Sequence, residues 1–241
     1  MNVLVIDVGG SHVKLLASGR SEITKLPSGP DLTPQRLVQI VQEADKDWQY
    51  DVVSIGWPGP IVDGKPALEP KNLGTGWVGF DFPAAMGKPV KLLNDAAMQA
   101  LGSYEGGRML FLGLGTGLGS ALVLDAKTVV PLELAHLPYR KRRTFEDHVG
   151  QRGIDRFGKK RWRLFIADVS RRLRLAMVAD YVVLGGGNSR LLKKLPDDTR
   201  LGKNTNAFIG GFRLWDEKYP PMLDAADSPP ASWEDGQGTV K

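Results

Sequence analysis

Two short stretches of this chain carry the same chemical device. Val5-Ile6-Asp7-Val8-Gly9-Gly10-Ser11-His12-Val13-Lys14 and Leu112-Gly113-Leu114-Gly115-Thr116-Gly117-Leu118-Gly119-Ser120-Ala121 each run apolar, pass through a turn of glycines and a hydroxyl, and run apolar again. Glycines in such a turn admit positive φ and let backbone N–H groups converge on an anion. Two of these turns, each leading one half of the chain, predict a cleft that grips a phosphate chain from both sides. Neither is a Walker A loop, because no G-x-x-x-x-G-K-[ST] occurs. Neither is a dinucleotide fingerprint, since no window within either turn has Gly at i, i+2 and i+5 and β-type sequence follows the second turn where a helix would be needed. Asp7, beside the first turn, can hold a hydrated Mg²⁺ that bridges phosphate oxygens, or it can simply brace the turn.

Acid–base chemistry is concentrated elsewhere. Asn94-Asp95 closes an apolar run, Val90 to Leu93, and opens a helical one. Ligands of open α/β sheets gather at such strand ends. An Asp there can accept the proton of an attacking hydroxyl, or it can act as the helix N-cap. Asn94 is then the stronger pointer to a ligand, because capping by Asp95 does not need it. Glu133 and His136, three residues apart, share a face if their segment is helical. They then suit vicinal hydroxyls or two positions of a metal site, or form a surface pair; two ligands do not close a zinc site. His12 and His148 have no such partners and read as structural.

Alternating strand and helix patterns position these residues. Strands are expected over 2–8 and 12–17, a helix from Thr33-Pro34, strands over 51–56 and 90–93, a helix over 96–104, and a second hairpin over roughly 109–125. Residues 144–178 read as mostly helical, with Trp162, Phe165, Ile166, Val169, Leu173 and Val178 as the apolar stripe. A strand at 181–184 ends in Gly185-Gly186-Gly187. A helix is expected after Ser189 and a last one over 207–215. The pattern predicts mixed α/β sheets with helices packed on them, divided into 1–106 and 107–216. The Pro-, Asp- and Ser-rich tail 217–241 is expected to be disordered or loosely docked.

Composition narrows the class. At 241 residues, 42% hydrophobic and 24% charged, the chain can bury a substantial core. No apolar run approaches a membrane span, no signal peptide is expected ahead of the first strand, and Cys is absent, so a cytoplasmic protein without disulfides is expected. The net charge of +5 is local: Arg140 to Arg174 holds thirteen Lys/Arg against four acids, a segment charge of +9 that leaves −4 elsewhere. Such a segment suits a polyanion (polyphosphate, nucleotide or nucleic acid) or forms a solvated helix face.

Seven motifs in order resemble the ROK-family sugar kinases. They are Asp7-x-Gly9-Gly10-Ser11-x-x-Lys14, Gly56-x-Pro58-Gly59, Asn72 before Trp77, Asn94-Asp95-Ala96, Leu114 to Ser120, Glu133-x-x-His136 and Leu184 to Gly187. Together they span about 2–215, and within the family the chain is most similar to the polyphosphate glucokinase branch. The resemblance implies the actin-like (ribonuclease H-like) ATPase fold, two α/β domains around a cleft. It implies a glucokinase-type phosphotransferase with ATP or polyphosphate as donor and Mg²⁺ as cofactor. Gly9, Gly10, Ser11, Lys14, Gly115, Thr116, Gly117 and Gly119 would hold donor phosphates. Gly185, Gly186 and Gly187 would lie by the adenosine end. Asn94, Glu133, His136, Asn72 and Gly59 would hold the sugar, and Asp95 would be the base for its 6-hydroxyl.

The chain departs from the family pattern in places. The zinc-binding cysteine cluster of many members is missing, and with it the sugar-binding Glu that follows, so no zinc is expected. The usual Glu-x-Gly-His is Glu133-Leu134-Ala135-His136, followed by Pro138 where the polyphosphate branch tends to have Glu. A different alcohol, such as an amino sugar, is therefore an alternative acceptor. A non-catalytic nucleic-acid-binding protein that uses the Arg140–Arg174 segment is the other alternative, although it would not need Asp7 and Asp95. No helix-turn-helix precedes Val3, so neither a repressor role nor a nucleic-acid or membrane partner is expected. A homodimer is.

Overall fold

The computed structural model describes residues 1–125, 128–203 and 205–216; the expected loose tail, 217–241, lies outside the described residues. The first sheet begins with strands β1 (Val3–Val8), β2 (His12–Ala17) and β3 (Thr24–Pro27) in an antiparallel meander. Every residue of β1 is buried, as expected of a central strand covered on both faces. Helix α1 (Pro34–Ala44) follows, capped by the Thr33 hydroxyl. Its apolar face, Leu37, Ile40 and Val41, lies in the first core. Strand β4 (Val52–Trp57) pairs parallel with β1. A short hairpin, β5 (Ile61–Val62) and β6 (Lys65–Pro66), and helix α2 (Phe82–Met86) lead to β7 (Val90–Asn94), parallel to β4. The sheet order is β3-β2-β1-β4-β7. Helix α3 (Asp95–Ser103) starts at the residue after β7 ends.

The second sheet repeats the plan. Strands β8 (Met109–Leu114), β9 (Leu118–Asp125) and β10 (Thr128–Leu132) form the meander. The excursion that follows holds a small hairpin, β11 (Pro138–Arg140) and β12 (Arg143–Thr144), and helices α4 (Phe145–Val149) and α5 (Gln151–Ala176). Strands β13 (Tyr181–Gly185) and β14 (Thr199–Leu201) then continue the sheet in parallel. Its order is β10-β9-β8-β13-β14, strand for strand that of the first sheet. The last helix is α6 (Asn206–Arg213).

Helices α3 and α6 pack against each other through glycines. A Cβ on Gly102 would meet the Asn206 carbonyl, and one on Gly210 would meet the Met98 carbonyl, so the two backbones touch. Helix α6 also rests on the first sheet: Gly211 lies against Val5, and the Ser54 hydroxyl donates to the Gly211 carbonyl. Three apolar cores result: one around α1 and the first sheet, one around α3 and α6, and one under α5.

Several local expectations are corrected. Helix α5 has a non-helical Gly158 (φ 71°) inside it, so the 144–178 segment bends. Trp162, Phe165, Ile166, Val169 and Leu173 are buried, but Val178 is exposed, because it follows the helix with a positive φ of 52°. After Gly187 there is a 3-10 turn, Gly187–Leu191, in place of a full helix.

Candidate active site

The two glycine turns connect β1 to β2 and β8 to β9, the same place in each sheet. In the first, the Gly9 N–H donates to the His12 carbonyl at 3.0 Å, and the Ser28 hydroxyl donates to the Gly9 carbonyl. Gly10 and Ser11 are exposed at its tip. Asn72 adjoins this turn: a Cβ on Gly10 would stand 3.6 Å from the Asn72 Cβ. Asp7 and Lys14 face each other across the hairpin register, and Lys14 Nζ lies 2.9 Å from Asp7 Oδ2.

The second turn is held from behind. The Gln151 N–H, at the start of α5, donates to the Gly115 and Thr116 carbonyls. Asn188 Nδ2 donates to the Gly115 carbonyl at 3.0 Å and to Gln151 Oε1 at 3.1 Å. Gly186, at φ 77°, comes so near the Leu114 carbonyl that a Cβ would collide with it. The Gly185–Gly187 loop thus backs the turn directly. With its carbonyls tied down on one side, the turn has no acceptor for the N–H groups of Thr116 and Gly117 among the described residues. Free N–H groups in a glycine turn are an anion site.

Asp95 stands between the turns. It is the first residue of α3. The next residue, Ala96, touches the second turn, since a Cβ on Gly119 would be 2.8 Å from the Ala96 Cβ. The charge of Asp7, beside the first turn, acts on Asp95 as well. Desolvation by the surrounding protein, then the Asp7 charge, and a smaller push from Glu133 raise its pKa to about 7, against the Ala96 N–H that donates to its carboxylate at 2.7 Å. A carboxylate poised near neutrality in a phosphate-sized cleft is suited to take a proton from an alcohol.

The helix cap is Asn94, not Asp95. Asn94 Oδ1 accepts from the Ala97 N–H at 3.1 Å and Nδ2 donates to the Gly59 carbonyl at 3.0 Å. The expectation that capping does not need Asn94 is therefore reversed: capping occupies its oxygen, and the Asp95 carboxylate takes no part in it. Asn94 instead ties the Pro58-Gly59-Pro60 turn to the start of α3.

Glu133 and His136 do not share a helical face. Residues Leu134–His136 form one 3-10 turn with Glu133 just before it, and both side chains face solvent. Crowding by protein raises the Glu133 pKa, with Glu146 adding to the rise and His136 and Lys71 opposing it. Glu146 was missed in the sequence. It sits on α4, accepts from the Leu118 N–H at 3.2 Å, and lies where a Cβ on Gly117 would be. The Glu146 carboxylate thus adjoins the second turn and acts on Glu133. Its only sequence signal is the capping box of α4, Thr144 with Asp147, which fixes where the helix begins and so where Glu146 points.

The basic segment is in part internally paired. Asp168 takes Arg140, Arg171 and Arg172 together with the Tyr139 hydroxyl. Beside it, Lys141 and Arg142 form the tip of the β11–β12 hairpin with φ of 50° and 59°. The Arg156 and Arg161 guanidinia lie over Phe157, and Arg161 and Arg140 over Phe165.

No family model matches the chain. Among curated proteins it is 28% identical over 145 residues to a bifunctional NanE/NanK enzyme of Brucella melitensis, covering 53% of this chain and 27% of that protein. It is 23% identical over 209 residues to the polyphosphate glucokinase of Mycobacterium leprae, covering 77% and 63%. The chain thus spans less than two thirds of the length of these relatives. Among solved structures, an inorganic polyphosphate/ATP-glucomannokinase from Arthrobacter sp. strain KM superposes with a TM-score of 0.72 at 23% identity, over 87% of this chain and 96% of that one. The ROK hexokinase of Thermus thermophilus does so with a TM-score of 0.68 at 18% identity, over 88% and 98%. With its paired sheets and a glycine turn at the same place in each, the chain has the fold of the ROK-family sugar kinases, and the polyphosphate glucokinase branch is among its sequence relatives.

Proposed function

We propose that this chain transfers a phosphoryl group from ATP or polyphosphate to the 6-hydroxyl of a hexose, glucose first among the candidates. One observation carries the reading: Asp95, with its pKa raised to about 7, stands at the start of α3 between two glycine turns. Asp95 takes the hydroxyl proton as the sugar oxygen attacks phosphorus. The N–H groups of Thr116 and Gly117, with the Gly9–Ser11 turn and Lys14, meet the phosphate oxygens as charge moves onto them. Glu133, His136 and Asn72 hold the remaining hydroxyls, and Asn94 sets the Gly59 turn against the sugar. Gly185, Gly186 and Gly187 face the far end of the donor.

Among the described residues no three His, Cys, Asp or Glu converge on a metal position. The donor set therefore suits a magnesium ion that arrives on the donor phosphates and meets Asp7 through water. When bound it neutralises phosphate charge. Lys14, paired with Asp7 at 2.9 Å, holds that carboxylate in place.

The exposed bases at Arg142, Arg156 and Arg161 favour polyphosphate among the donors, because a long polyanion can use charge well beyond its reacting end. The 1–106 and 107–216 division, a homodimer, a cytoplasmic setting and the lack of a nucleic-acid partner belong to the same reading. Among the described residues no helix is long and apolar enough to cross a membrane. The test is a coupled phosphorylation assay of the full chain over a sugar panel that includes an N-acetylated amino sugar, with ATP or polyphosphate as donor. Glucose 6-phosphate is the expected product. Absence of turnover for every pair would overturn the reading.

A further inference from the structure

Among the described residues two buried side-chain polar atoms have no hydrogen-bond partner, and one of them, Trp57 Nε1, lies beside the candidate site. Trp57 is the last residue of β4 and is fully buried. Its ring is fixed: it packs against Trp77 at a tilt of 38° with centroids 4.5 Å apart, and Trp77 in turn adjoins Phe82. The other buried indoles are satisfied. Trp77 Nε1 donates to the Gly74 carbonyl at 2.7 Å, and Trp162 Nε1 to the Val149 carbonyl at 2.8 Å. The tryptophan next to Asn94 and Asp95 is the exception, and a buried donor without an acceptor weakens the fold unless a bound group supplies one.

The residue packed against this N–H is a glycine, and together they close the N–H to solvent. A Cβ on Gly59 would stand 3.1 Å from Trp57 Nε1, inside ordinary contact. The Gly59 carbonyl cannot serve the indole, because it already accepts from Asn94 Nδ2 at 3.0 Å. The same Asn94 caps the helix that begins with Asp95. A donor in need of an acceptor, a missing side chain above it and the proposed base are thus joined through two consecutive hydrogen-bonding residues.

We propose that the Trp57 indole N–H is a specificity-determining donor of the acceptor site. When the acceptor alcohol settles on the Pro58-Gly59-Pro60 turn, the turn shifts to uncover the indole N–H, and one of the alcohol's oxygens, directly or through one water, takes this hydrogen bond. A buried donor satisfied only by a correctly placed oxygen discriminates against acceptors that lack one there, since they leave it unpaired. The alcohol is a polyol with an oxygen that reaches Gly59 while its reacting hydroxyl is at Asp95. This rests on the sugar-kinase reading and adds a residue that the phosphate and hydroxyl contacts above do not use.

The experiment follows the indole N–H resonances of the ¹⁵N-labelled full chain as glucose is added without donor, with the Trp57 signal assigned as the one missing in Trp57→Phe. The expected result is a downfield shift of that signal and slower exchange with water. Trp57→Phe, which keeps a ring against Trp77, should raise the KM for glucose about tenfold and leave the donor KM within about twofold. Gly59→Ala should do the same, and the double variant should add little to either. If glucose is phosphorylated while the Trp57 signal stays still and both variants keep the wild-type KM, the inference is wrong and the kinase reading stands. If no donor phosphorylates glucose and glucose moves no resonance, both fall. Should Trp57→Phe not fold, Gly59→Ala supplies the assignment by the indole signal it perturbs most, and the wild-type titration decides.

Discussion

Gly119 faces Ala96 so closely that a side chain at 119 would begin 2.8 Å from the Ala96 methyl. This contact sets the distance between the second phosphate turn and the carboxylate that follows β7. Gly119→Ala should force the turn and the start of α3 apart. Overpacking of this kind costs about 1–3 kcal/mol, and a displacement of even about 1 Å at a reacting centre can cost on the order of a hundredfold in rate. Thermal melts together with kcat should show a modest loss of stability and a large loss of turnover. Wild-type kcat in Gly119→Ala would mean that this contact does not set the catalytic distance.

Asp95→Asn should leave glucose binding nearly intact and lower kcat by at least about a hundredfold, the magnitude of a lost general base. With Asp95 as the proposed base, its ionised form is the active one, so kcat/KM should rise with pH through about 7 and then level off. A profile flat from pH 5 to 9 would place the essential base elsewhere.

The same shift has a signed effect on stability. A carboxyl whose pKa is higher folded than unfolded favours the folded state in acid, and that contribution is lost as pH rises from the unfolded value of 3.8 through about 7. Asp95→Asn removes the loss. Its melting temperature should match the wild type near pH 4 and exceed it at pH 8, by a free energy on the order of a few kcal/mol. Equal gains at both pH values would show that ionisation of Asp95 is not the cause.

Replacing Arg142, Arg156 and Arg161 together by Gln tests the donor. The KM for long polyphosphate should rise about tenfold and become less sensitive to salt, while the KM for ATP changes little, because a short donor does not reach these side chains. Equal effects on both donors would argue for a general electrostatic role. Filter binding of the wild type to duplex DNA at two salt concentrations belongs beside this assay, and tight salt-dependent binding would count for the nucleic-acid alternative.

Gly210→Ala should be strongly damaging, because its Cβ would penetrate the Met98 carbonyl of α3. Several kcal/mol of stability should be lost, or soluble protein should not be obtained. A melt within a few degrees of wild type would mean that α3 and α6 can separate without harm.

Much of the fold was legible because it rests on local signals. The glycine turns between apolar runs, the Thr33-Pro34 helix start and the Tyr181–Gly185 strand are all written in consecutive residues, and each stands within a residue or so of its expected place. Short or edge elements escaped. Strand β3, Thr24–Pro27, alternates between half-buried and exposed residues and carries no continuous apolar run. Strand β14 has exposed Arg200 and Leu201. In the site, Asp95 could be picked out because strand end and helix start coincide there. Which of Asn94 and Asp95 caps the helix could not, since both residue types cap well and the choice falls to a partner 35 residues away, Gly59. Glu146 was hidden for the same reason: its role comes from α4 folding back onto Gly117 and Leu118, a contact across some thirty positions.

The glycine contact between α3 and α6 has one more consequence. Gly102 meets Asn206 as Gly210 meets Met98, four residues back in each case. Each helix follows the last strand of its own sheet, and the two sheets have matching strand orders. An approximate two-fold axis therefore passes between the helices, as in a symmetric dimer whose halves were joined in one chain. The offset along it is 108 residues, and it carries Asp95 onto Lys203. The two ends of the pseudo-dimer are no longer alike: one keeps a carboxylic acid whose pKa is raised to about 7, and the other has a lysine.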